Sequence, residues 1–111
     1  MRTLLIGLAL LAGQLITMQA KPTIRLEPHK NTIEARFGGS LVELINAPAT
    51  VYLPSSPPTA DAQGVPWLVD VKNLGPDSVT VTSVKTHFQV SVGTGQTVHI
   101  NSNGAAYLLK R

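Results

Sequence analysis

Trp67-Leu-Val-Asp-Val-Lys-Asn-Leu-Gly-Pro-Asp-Ser-Val-Thr-Val81 decides the fold class, because two runs of alternating apolar and polar residues flank a Gly-Pro-Asp turn. Successive side chains leave a strand on opposite faces, so period two marks a half-buried strand. Trp67, Val69 and Val71 form one inward set, and Val79 and Val81 form another. Pairing the runs as a hairpin with Val71 opposite Val79 brings both sets to one side and turns Asp70, Lys72, Ser78, Thr80 and Thr82 outward.

The alternation continues downstream. Phe88, Val90 and Val92 face the same way as Val98 and Ile100 if Val92 lies opposite Gln96 or Val98, and His87, Gln89, Ser91, Thr97, His99 and Asn101 form the opposite face. Asn103-Gly104 carries the signal of a type I′ turn, whose two central residues need positive φ. A two-residue loop there sets Ser102 opposite Ala105, Ile100 opposite Tyr107 and Val98 opposite Leu109. The expectation is a C-terminal antiparallel meander of three hairpins.

Upstream, alternation predicts strands at Thr23–Glu27, Thr32–Phe37, Leu41–Ile45 and Thr50–Leu53, separated by Pro, Gly and Asn turn residues. No window sustains helical spacing with caps. The chain therefore reads as all-β, an antiparallel immunoglobulin-like β-sandwich with a small β-barrel as the alternative. Pro54 to Pro66 is the longest interruption. The pieces on either side are too short for separate cores, so residues 21–111 are read as a single domain with a Pro-rich loop at 54–66.

The stretch from Trp67 to Val81 resembles immunoglobulin-like repeats of bacterial surface proteins, in which a Val-x-Asn-x-Gly-Pro turn joins two strands. The resemblance implies a sandwich and a non-catalytic, cell-envelope or extracellular setting. It carries over no functional residue.

Residues 1–20, MRTLLIGLALLAGQLITMQA, have the form of a secretory signal peptide: a positive end at Arg2, an apolar stretch from Leu4 to Ala12, and a polar run ending in Ala20. Cleavage between Ala20 and Lys21 is the expectation. Thr3 to Met18 is too short and too polar at Gln14 to cross a bilayer, so no stable membrane span is expected after cleavage. The destination is secreted or periplasmic.

The sequence has no cysteine, which excludes thiol catalysis, zinc-thiolate sites and disulfide frameworks. Loss of Arg2 with the leader leaves eight basic and six acidic residues, dispersed and often alternating in sign, as in Arg25/Glu27 and Glu34/Arg36. Dispersed charge of this kind does not make a nucleic-acid groove.

Catalysis needs a nucleophile with its base, or a carboxylate pair, gathered in a pocket. The acids are scattered, and Ser83, Ser91 and Ser102 lie in plain strand or turn contexts without a Gly-x-Ser-x-Gly elbow. No enzyme activity and no cofactor are expected. Four residues are candidates for binding. Thr80, Gln89 and His99 lie on the polar face of the meander, and Tyr52 falls on the polar side of its strand, where it would offer an exposed platform for a sugar or a protein. His87 and His99 are the metal candidates, since the counted register makes them a diagonal pair on neighbouring strands.

The function expected is thus an exported, non-catalytic binding or structural module of the cell envelope or extracellular space, with a protein or glycan of the envelope as its partner. The alternative is a small periplasmic metal-binding protein using His87 and His99.

Overall fold

The computed structural model describes residues 21–28 and 30–110; the leader and its cleavage point at Ala20 lie outside the described residues. Eight strands occur among them: β1 Thr23–Leu26, β2 Leu41–Leu44, β3 Thr50–Tyr52, β4 Leu68–Asn73, β5 Val79–Ser83, β6 Phe88–Val92, β7 Thr97–Ser102 and β8 Tyr107–Lys110. One short 3₁₀ turn covers Ala35–Phe37. The all-β reading holds.

The pairing is not the expected antiparallel meander. The strands form a five-stranded sheet in the order β1-β2-β4-β7-β8 and a three-stranded sheet in the order β3-β5-β6. Both sheets are mixed: β1 with β2, β2 with β4 and β3 with β5 run parallel, while β4 with β7, β5 with β6 and β7 with β8 run antiparallel. Hence β4 and β5 do not form a hairpin, nor do β6 and β7. Each of these two connections crosses from one sheet to the other.

Alternation survives this correction because it reports a face and not a partner. Val69 and Val71 pair with Ile100 and Val98 of β7, and Val79 and Val81 pair with Val92 and Val90 of β6. Trp67, Val69, Val71, Val79, Val81, Val92, Val98 and Ile100 all lie buried in one cluster, with Val42 and Leu44 from β2 and Val51 from β3. Both sheets contribute to that cluster. Burial of this apolar surface, at roughly 25 cal/mol per Å², is the main force holding them, as the chain has no disulfide.

Asn73 fastens the corner where the chain leaves its sheet instead of forming the expected hairpin. Its side chain is 1% exposed. Its Nδ2 donates to Asp77 O at 2.7 Å and Val92 O at 2.9 Å, and its Oδ1 accepts from Gly75 N at 2.9 Å. Its backbone is engaged as well, donating to Gln96 O and accepting from Gly95 N. One residue at the end of β4 therefore binds the β4–β5 connection, the end of β6 and the β6–β7 turn. A buried amide that meets three backbone partners holds this corner in place.

The β7–β8 hairpin exists, but its register is shifted by two residues. Ser102 lies opposite Tyr107 and Ile100 opposite Leu109. The left-handed conformation falls on Gly104, at φ 88°, and not on Asn103. Instead of a type I′ turn, Asn103 Oδ1 accepts from Ala105 N and Ala106 N, both at 2.8 Å, and caps a longer loop. A shift of two keeps every side chain on its expected face.

Thr32–Phe37 is not a strand. Thr32 makes an isolated bridge to Tyr52, and the chain then tightens into the 3₁₀ turn. Ile33 and Phe37 are buried, while the residues between them are exposed. This excursion carries the chain from β1 to β2, which a parallel pair requires, since its strands cannot be joined by a two-residue turn.

Trp67 anchors the excursion. It is fully buried, and its Nε1 donates to Ala35 O at 2.8 Å. Gly38 lies against the indole so closely that a Cβ there would overlap Cδ1 and Nε1. Tyr107 packs edge-on to Trp67 with ring centroids 6.0 Å apart, and its hydroxyl donates to Pro54 O at 2.5 Å. Ser102 Oγ donates to Pro58 O at 2.6 Å. The Pro-rich loop is thereby fastened across the β7–β8 hairpin.

Candidate functional site

The two sheets present chemically different outer faces. On the three-stranded sheet, the outward residues align in two rows: Tyr52 beside Thr82 beside Gln89, and Thr50 beside Thr80 beside Ser91. The rows carry hydroxyl and amide groups and no charge. Tyr52 is 40% exposed, Gln89 and Ser91 are exposed, and Thr50 and Thr80 are half-buried. Thr82 is tied down, its Oγ1 donating to Phe88 O at 2.8 Å. Tyr52, Thr80 and Gln89, three of the four binding candidates, thus share one face.

His99, the fourth, does not join them. It lies on the outer face of the five-stranded sheet, in a row that runs Thr23, Leu41, Asp70, His99, Lys110 across all five strands. Beside it runs Arg25, Glu43, Lys72, Thr97. This face is as charged as the other is neutral.

His87 is placed differently again. It precedes β6 and closes the four-residue loop between Ser83 and Phe88, its N donating to Val84 O at 3.2 Å, with φ at 60°. The last residue of such a loop must reverse the chain in the left-handed region, which His tolerates better than most residues. The strand-to-strand register that would make His87 and His99 neighbours does not exist, because β6 pairs with β5, and β7 with β4 and β8.

What the sequence did not reveal is the partner of His99. Its Nδ1 lies 2.6 Å from Asp70 Oδ1, and Lys21 Nζ lies 2.5 Å from Asp70 Oδ2. Asp70 is 8% exposed, so its carboxylate is held between two donors with little access to water. Burial works to raise its pKa. The hydrogen bonds from His99 and Lys21, reinforced by their charge, outweigh burial and hold the carboxyl below its ordinary 3.8. Both residues were legible as outward positions of strands. Only the pairing of β4 with β7 sets them opposite each other.

A second ion pair, Arg25 Nε to Glu43 Oε1 at 2.9 Å, lies one row along. No group of three or more His, Asp or Glu able to hold a metal ion occurs among the described residues. None of the helices among them is long and apolar enough to cross a membrane.

No protein-family model, curated protein or solved structure matches this chain.

Proposed function

We propose that the chain is an exported, non-catalytic binding module of the cell envelope or extracellular space, a single-domain β-sandwich that takes a neutral envelope glycan on the outer face of its three-stranded sheet. The observation that carries this reading is the co-facial array of Tyr52, Thr80, Gln89 and Ser91. An exposed tyrosine offers an apolar ring with a polar tip, and the hydroxyl and amide groups beside it offer hydrogen bonds without the desolvation cost of a charge. A sugar presents the matching surfaces. The apolar leader and the cysteine-free composition support export to a bacterial envelope.

Titration of the protein with neutral oligosaccharides released from envelope material tests the face. Tyr52→Ala and Gln89→Ala are each expected to weaken binding by about tenfold, the equivalent of roughly 1.4 kcal/mol, with unchanged thermal midpoints. Equal affinity in the wild type and both variants would remove the ligand from this face.

A further inference from the structure

The cluster on the opposite sheet is not used by that reading. Asp70 holds His99 by Nδ1, so the ring's other nitrogen, Nε2, is turned away from the carboxylate, on a side chain that is 49% exposed. Lys110 lies directly opposite His99 in the β7–β8 register. Lys21, 43% exposed at its side chain, spends one of three ammonium protons on Asp70. Lys21, Leu68, Asp70, His99 and Lys110 line one shallow cleft of about 300 Å³.

We infer that this cleft is a phosphate-binding site, with Lys21, His99 and Lys110 as the donors and Asp70 as the residue that positions two of them. With the imidazole protonated, three cations and one carboxylate leave two positive charges, the complement of a phosphomonoester dianion. All three donors are point donors on separate side chains. A planar carboxylate is best met by the fork of an arginine, whereas a phosphate accepts single donors on three oxygens. Arg25, on the same face, is already paired with Glu43.

The same geometry makes binding depend on the hydrogen-bonding state of the ring. Neutral His99 donates its one proton to Asp70 and leaves an acceptor lone pair on Nε2, which repels an oxyanion; the protonated ring donates from both nitrogens. The groups facing it are Asp70 and Lys72 from β4, Lys110 from β8 and Lys21 ahead of β1, while Arg25 and Glu43 of the next row offset each other. A phosphomonoester loses its second proton near pH 6, and inorganic phosphate about one unit higher. The protonated ring and the dianion together make the full set of hydrogen bonds. Sulfate keeps its dianionic charge and so isolates the contribution of the three donors.

The test follows the His99 imidazole signals by NMR in the purified protein during titration with inorganic phosphate, glycerol phosphate and sulfate between pH 5 and 8. Saturable shifts are expected for all three. Free phosphate as the natural ligand would bind at least as tightly as glycerol phosphate; a phosphate borne on a larger molecule would give the reverse order. Lys110→Gln and Lys21→Gln should each weaken phosphate binding about three- to tenfold, and Tyr52→Ala should leave it unchanged, which separates this site from the neutral face. Absence of saturation at about 20 mM phosphate, well above the roughly millimolar dissociation constant a small exposed site can reach, overturns the inference. So does binding that neither lysine substitution alters.

Discussion

His87 and Trp67 show how single residues are fixed by backbone and packing constraints that composition does not display. His87 is held at φ 60° by the loop that joins β5 to β6. The left-handed region costs a non-glycine residue about 1–2 kcal/mol, and a β-branched residue more. His87→Gly is expected to leave stability unchanged or raise it by up to about 1 kcal/mol, since lost strain is partly offset by greater freedom of the unfolded chain. His87→Val should cost about 1–2 kcal/mol. Chemical denaturation of the two variants gives the order, and equal losses would show that the imidazole itself contributes to the fold. Gly38 illustrates the complementary constraint, a missing side chain that lets the backbone approach the Trp67 indole.

Among elements, the corner after β4 has the greatest consequence. Asn73 ties together the β4–β5 connection and the end of β6, and it does so from a buried position. Asn73→Ala leaves two carbonyls and one N–H without their partner, at a cost of about 2–4 kcal/mol. Asp77→Ala should change stability by less than about 0.5 kcal/mol, because only the backbone carbonyl of Asp77 is used and its side chain is exposed. Urea midpoints distinguish the two, and similar losses would mean that the corner is held by something other than the amide. The β7–β8 hairpin shows a milder version of the same effect. Asn103-Gly104 marked its position correctly, yet the carboxamide of Asn103 captured two backbone donors and lengthened the loop.

Across the whole molecule, the Pro-rich loop, β8 and the tryptophan meet at Tyr107. Burial pushes its phenol up from 10.0 to about 12, and its hydroxyl donates to Pro54 O. A folded-state pKa above the unfolded value means that the stabilisation is complete below pH 10 and is lost as pH rises toward 12. The loss reaches at most about 3 kcal/mol at pH 12, taking 1.36 kcal/mol per unit. Tyr107→Phe should start about 1 kcal/mol less stable from its missing hydrogen bond and decline less steeply between pH 10 and 12. Denaturation series in that range compare the slopes; identical slopes would mean that the Tyr107 hydroxyl is reached by water in the folded protein.

The sequence by itself determined which residues turn inward, because period-two alternation is a local property of an extended chain and holds whatever strand lies alongside. From it came the all-β class, the core set from Trp67 to Ile100, and the outward placement of Tyr52, Thr80 and Gln89, each on its own strand. Pairing was decided only by the tertiary structure. β4 meets β7 and not β5 through contacts between residues far apart in the chain, and the buried Asn73 amide holds the corner that follows. That choice separated His87 from His99, made both sheets mixed, and placed Asp70 between Lys21 and His99, an ion cluster that no local pattern encodes because its members come from residues 49 and 29 positions apart.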